Sequence, residues 1–306
     1  MKLRDRMLVS NPILKDLITI MDALITAVNT LSSVVFTGEA PHKTDDTADV
    51  VSAANAGDLD AVVNLEWALD VAYAAHLGST SYHIAADSTN TLTATTVYAK
   101  IKALADELKT KYNAHRVLTS GSVHGGADST NVVSAAAVSS KATAVTLLNE
   151  LKTDFNAHIA MTSGSVHGAA DATNPVTLDD LTSSSTWTEI AAMADSIRTK
   201  YEAHRVLTAD SVHGAADSTN TMTASAVGTL QTSINTYLNE FKTDFNAHIL
   251  FLTSHYTVDQ SMKITAANAS SLATSVTLIN EAKASFNDHI SRASEVAMTV
   301  PTLDEL

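Results

Sequence analysis

The sequence predicts an all-α protein made of tandem helical repeats of about 42 residues, each a long amphipathic helix followed by an ordered connector that carries histidine and aspartate. Three observations lead there. Near-identical blocks recur along the chain, the apolar positions inside each block follow helical spacing, and the segments between blocks are rich in Ser, Thr, Asp and Asn.

The recurrence is plainest in three places. Tyr112-Asn113-Ala114-His115 leads to Ser122-Val123-His124-Gly125, Phe155-Asn156-Ala157-His158 to Ser165-Val166-His167-Gly168, and Tyr201-Glu202-Ala203-His204 to Ser211-Val212-His213-Gly214. An aspartate follows four residues after each second histidine: Asp128, Asp171 and Asp217. Looser copies place His76 before His83 and Asp87, and His248 before His255 and Asp259. His42 with Asp46 opens the series, and Phe286-Asn287-Asp288-His289 closes it. The second-type histidines, His42, His83, His124, His167, His213 and His255, recur every 41 to 46 residues. These boundaries divide the chain into an N-terminal helical cap (1–41), a six-unit array (42–290) and a C-terminal tail (291–306).

Within a unit, Ile190, Ala194, Ile197, Tyr201 and His204 follow a 4-3-4-3 spacing, as do Ile234, Leu238, Phe241, Phe245 and His248. That is one apolar seam on a helix of about 20 residues, or about 30 Å. Leu118, Met161, Leu207 and Phe251 extend the seam, which predicts one more helical turn beyond the histidine, and Gly121 and Gly164 suit a C-terminal cap. Ser52, Thr93, Ser134, Thr177, Thr223 and Thr265 are the expected N-caps, with further starts at Asp58 and Ser271. The connector is longer than a simple bundle turn. It either returns along the helix to give parallel neighbours or folds as a separate loop. Residues 12–36 read as one more amphipathic helix without a terminal histidine.

Composition supports a folded chain with a finely divided core. Hydrophobic residues make up 45% but aromatic residues only 5%, so many small contacts replace a few large ones. With 10 Gly and 4 Pro in 306 residues the chain does not read as disordered. The formal charge of −14 leaves no basic stripe, which argues against nucleic acid and anionic membrane as partners. Full protonation of the 12 histidines would move the charge to −2, which predicts solubility and self-association that change near pH 6. Without cysteine there is no thiolate chemistry. The N-terminal segment lacks an uninterrupted apolar stretch, so no Sec export is expected.

The histidines are the candidate site. Each unit offers two imidazoles and a carboxylate within about a dozen residues: His76/His83/Asp87, His115/His124/Asp128, His158/His167/Asp171, His204/His213/Asp217 and His248/His255/Asp259. Such a set suits a divalent transition metal, Zn, Fe, Mn or Ni, with positions open for water. The alternative is structural: a helix-terminal histidine satisfies free carbonyls, and the aspartate makes an Asx-turn. Asn113, Asn156 and Asn246, two residues before a histidine, would bond either the ring or a loop carbonyl. His42 and Asp46 lack a preceding helix histidine, and His289 lacks a following loop histidine. These complementary halves predict one more site, formed head-to-tail between subunits or by closure of the array on itself. No nucleophile elbow, phosphate loop or dinucleotide fingerprint occurs, so the sequence reads as a non-enzyme. Trp67 and Trp187 read as packing residues.

The strings Leu147-Leu148-Asn149-Glu150-Leu151-Lys152-Thr153-Asp154-Phe155-Asn156-Ala157-His158 and Val212-His213-Gly214-Ala215-Ala216-Asp217-Ser218-Thr219-Asn220 resemble Ala/Thr-rich, His-containing repeat proteins that are virion structural proteins of tailed bacteriophages. The resemblance spans most of residues 42–290 and implies a particle component (tail, collar, fibre or capsid-associated) made in the host cytoplasm. It also implies self-assembly and contact with other virion proteins, and it supplies no functional residues. The reading from the residues alone is a metal-binding or pH-responsive repeat scaffold or surface protein.

Overall fold

The computed structural model describes His42, residues 46–252, His255 and residues 258–292. The expected N-terminal cap, with its helix over 12–36, and nearly all of the C-terminal tail lie outside these residues. Among the described residues the chain is helical and contains no β-sheet. Six α-helices follow one another: α1 (Leu59–Gly78), α2 (Val97–His115), α3 (Lys141–Ile159), α4 (Trp187–His204), α5 (Leu230–His248) and α6 (Leu272–Ile290).

Helices α1 and α6 start after Asp58 and Ser271 as expected, whereas α2 to α5 start later than the Ser/Thr pattern predicts. Asp58, Thr96, Ser140, Thr186 and Ser271 are the side-chain N-caps, each accepting from a backbone N–H in the first turn. The expected caps Thr93, Ser134, Thr223 and Thr265 do another job. Each uses its backbone N–H and its hydroxyl to grip a glutamate on a different helix: Glu240, Glu150, Glu107 and Glu281, respectively. A cap signal and a side-chain grip need the same residue type, and only the tertiary partner separates them. The C-termini differ as well. The helices end at or within two residues of the histidine, and Gly121 and Gly164 lie beyond, at φ 68° and 64° in short 3₁₀ turns rather than as caps.

The helices group as two sets of three. Helices α2, α3 and α4 pack against one another, and so do α1, α5 and α6, with α1 joining the sets through α2 and α4. The first set is therefore inserted in the chain between α1 and α5. All six run in the same direction. At one end, the Trp187 N–H donates to Asp60 and the Val97 N–H to Glu66, which brings helix starts together. At the other end, the histidines of each set meet.

Parallel neighbours require the connectors to travel back the length of a helix, and they do. Asn113 clasps Val133, Asn156 clasps Val176 and Asn246 clasps Ile264, each accepting from the backbone N–H and donating to the carbonyl of the same residue. These asparagines thus serve the connector and not the imidazole. Glu150 holds the far side of the connector after α2, so an extended segment without strand partners has its backbone satisfied by side chains of two helices. Buried Leu, Ile, Val and aromatic residues fill each set, among them Leu104, Leu108, Leu147, Leu151, Ile190 and Ile197. Each fully buried side chain of this size contributes about 1.5–3 kcal/mol. Trp187 is buried with its indole N–H on Asn64, and Trp67 stacks on Tyr98, so both tryptophans pack as expected.

Candidate metal centres

Each helix set ends in a cage of six imidazoles, and the two cages together take in all 12 histidines of the chain. The first cage holds His115, His158 and His204 from the ends of α2, α3 and α4, with His124, His167 and His213 from the following loops. The second holds His76, His248 and His289 from α1, α5 and α6, with His42, His83 and His255 from loops. None is more than 2% exposed.

The carboxylates do not join their own unit's histidines as a ligand trio. Asp128 bonds Nδ1 of His158 at 2.9 Å, Asp171 that of His204 at 3.0 Å, and Asp217 that of His115 at 2.9 Å. The second cage repeats the cycle: Asp46 with His76 and Asp87 with His248 at 2.9 Å, and Asp259 with His289 at 3.1 Å. The reason is where the backbone holds each aspartate. The Asp128 N–H bonds the Arg116 carbonyl at the end of its own helix, and one carboxylate oxygen closes an Asx-turn with Thr130 and Asn131. The other oxygen is then aimed across the groove at the next helix. The Asx-turn expected from the sequence is present, and the carboxylate backs an imidazole of a different helix instead of joining its own pair.

Four of the six loop histidines are oriented by backbone. Nδ1 of His124, His167, His213 and His83 donates to the carbonyls of Leu118, Met161, Leu207 and Ser79 at 2.9–3.1 Å. Leu118, Met161 and Leu207 thus matter through their carbonyls, where the sequence suggested one more apolar turn. A carboxylate or carbonyl against Nδ1 demands a proton there, which leaves the Nε2 lone pair bare in a neutral ring. The Nε2 atoms of all six first-cage histidines are buried without a hydrogen-bond partner among the described residues, as are those of His42, His248, His255 and His289. In the second cage, Nε2 of His76 and of His83 face each other at 3.1 Å.

The rings are arranged octahedrally. In the first cage the three helix rings stand 5.4–5.5 Å apart between centroids and the three loop rings 4.9–5.0 Å, forming two opposed triangular faces. Between the faces, each ring is close to two of the other triangle at 4.6–5.3 Å. The remaining partner stands opposite: His115 to His167, His158 to His213, His204 to His124. The second cage has the same connectivity, with His76 opposite His255, His248 opposite His42 and His289 opposite His83.

The surroundings keep the rings neutral and fixed. Burial lowers the histidine pKa values, to about 4 for His158, His167, His213, His76 and His83. Burial alone would raise Asp87, Asp128, Asp171 and Asp217, but the histidine hydrogen bonds, the Asn side chains and the backbone N–H groups hold them below the ordinary carboxylate range. The expected charge change near pH 6 is therefore displaced to lower pH, because no histidine faces solvent. Beneath each cage the aromatic residue three positions before one histidine packs edge-on against the next. Tyr112 meets His158, Phe155 meets His204 and Tyr201 meets His115, with ring centroids 5.7–5.8 Å apart. Above the first cage lies a bowl of about 820 Å³ lined by Ser122, Ser165, Ser211 and the loop histidines.

The structure brings together every histidine that the sequence singled out, in two sixes rather than five separate trios. The half-sites are matched within one chain. The ring centroids of His42 and His289 lie 4.4 Å apart in the second cage, and the Asp46 N–H bonds the Ile290 carbonyl as the Asp128 N–H bonds that of Arg116. Of the two expected routes, closure of the array on itself is the one found. The backbone carbonyls that orient the loop histidines had no signal in the sequence. No helix among the described residues is long and apolar enough to cross a membrane. Comparison with protein families, curated proteins and solved structures finds no match.

Proposed function

We propose that this chain is a non-enzymatic structural protein of a tailed-phage particle, a six-unit array of duplicated helical units of about 42 residues drawn shut around two interior metal centres. The observation that carries the metal-stapled part is that every histidine of the chain is spent inside two buried cages that unite all six units. Groups built to hold an ion, ten of the twelve with an orienting carboxylate or carbonyl on Nδ1, fit a metal whose binding adds directly to folding free energy. Distribution of the same chemistry over all units favours a structural role over a single reactive centre. The particle setting rests on the resemblance of residues 147–158 and 212–220 to virion proteins, and with it go partners among other virion proteins and assembly in the host cytoplasm.

Protein purified without chelator or affinity metal should carry bound transition metal, and exhaustive chelation should lower its melting temperature. Metal-free protein of unchanged stability would remove the stapling role. Mass spectrometry of purified particles tests the setting: peptides of this chain in washed virions support it, and their absence leaves the reading of a metal-bound scaffold or surface protein.

A further inference from the structure

We propose that each cage binds one six-coordinate divalent first-row transition ion through six imidazole Nε2 atoms, two ions per chain, with no ligand position left for water or substrate. This rests on the reading that the cages hold metal and specifies the ion and its coordination.

The size of the cage is the first argument. Opposed ligand atoms are close enough for one ion to touch both: the ring nitrogens of His124 and His204 lie within 4.8 Å, as do those of His76 and His255. Metal–imidazole bonds of about 2.1 Å put opposite nitrogens about 4.2 Å apart and adjacent ones about 3.0 Å apart. The 3.1 Å between the facing nitrogens of His76 and His83 matches an adjacent pair. Both rings have their proton committed at Nδ1, to Asp46 and to the Ser79 carbonyl, so the short contact sets two lone pairs against each other. A cation between them turns that repulsion into shared ligation.

Ligand number is the second argument. Two staggered triangles, one from helix ends and one from loops, define an octahedron without help from solvent. Aspartates are excluded from the inner shell because each has one oxygen on an Nδ1–H and the other on turn N–H groups or, for Asp259, on Ser261 and Arg292. Zinc in proteins is usually four-coordinate, and Cu(II) prefers tetragonal fields. An octahedral set of six neutral imidazoles instead suits Ni(II), Co(II), Fe(II) or Mn(II), with affinity rising from Mn to Ni. This replaces the open His/His/Asp site of the sequence reading by a closed one. A saturated ion cannot ligate a substrate, in keeping with a structural role.

The test is to strip the full chain with chelator, reload it with Co(II) or Ni(II) alone, remove excess, and measure stoichiometry and X-ray absorption. The expected result is two ions per chain, each with six nitrogen neighbours, and for Co(II) the weak visible spectrum of an octahedral ion. Two ions with four neighbours, or a first shell containing oxygen, would overturn the inference while leaving the cages as metal staples. No retained metal would overturn both. The double substitution His158→Gln with His204→Gln should halve the stoichiometry to one ion. Should that variant fail to fold, the absorption data on the unaltered chain still decide.

Discussion

Asp217 accepts the Nδ1–H of His115 at 2.9 Å across 102 residues of chain, which closes the ring of contacts begun by Asp128 on His158 and continued by Asp171 on His204. Each helix end is thereby tied to the connector of another unit, and no unit completes its own site. Asp217→Asn tests this arrangement. An amide cannot offer an acceptor both to the Asx-turn N–H groups and to His115, so the imidazole loses its orienting partner. Metal affinity of the first cage should fall by about 10–100-fold, with the second cage unchanged. Competition titration against a chromogenic chelator reads both cages, and equal weakening of the two would contradict the assignment.

The all-helical class and the candidate histidines were legible because each leaves a local trace: helical spacing, a recurring His and an Asp four residues later. What was not legible is which unit partners which. His115 and Asp217 carry no mutual signal, since Asp128 and Asp171 look identical from the sequence. Helices α2 to α4 pack together while α1, α5 and α6 form the other set, an insertion that chain order hides. The starts of α2 to α5 were misplaced for a related reason. Thr93 and Ser134 are good N-cap residues by type, and only the glutamates brought to them by packing, Glu240 and Glu150, reveal their use.

Glycine after the loop histidine follows from how the three loops interlock. A Cβ at Gly168 would sit 2.4 Å from the Ser211 carbonyl oxygen, and the equivalent atoms at Gly125 and Gly214 would meet Ser165 and Ser122 at 2.5 and 2.4 Å. These are backbone obstacles, so no rotamer change relieves them. Gly168→Ala should destabilise the protein by about 1–3 kcal/mol and loosen the loop face of the first cage. Denaturant unfolding measures the first effect. A stability within error of the unaltered chain would show that the loops have room to part.

Glu66 lies in the core with Oε2 accepting the Val97 N–H at 3.3 Å and Oε1 without a partner among the described residues. Burial raises its pKa to about 8, opposed by the Val97 bond and Lys100 and aided by Asp70. A carboxyl whose folded pKa exceeds its unfolded value of 4.5 is neutral in the fold, and the stability tied to that proton is lost as pH rises from 4.5 through 8. Glu66→Gln keeps the shape and removes the ionisation. The variant should gain on the unaltered chain by up to about 5 kcal/mol at pH 9 and match it near pH 5. Parallel stability curves for the two proteins from pH 5 to 9 would refute the buried neutral acid.

The histidines give the opposite slope. Their folded pKa values lie below the unfolded value of 6.5, at about 4 for His76, His83, His158, His167 and His213, because burial disfavours the imidazolium. Depressed values mean that the unfolded chain takes up protons first, so stability is complete above pH 6.5 and is lost as pH falls toward 4. Chelated protein should therefore unfold cooperatively in mild acid, with a melting temperature that drops steadily between pH 6.5 and 4.5. Metal-loaded protein should resist to lower pH, since protons must then compete with the ion for Nε2, and should release its metal in the same step in which it unfolds. Circular dichroism with a metal indicator follows both events in one titration. Metal release well above the pH of unfolding would separate the cages from the stability of the fold.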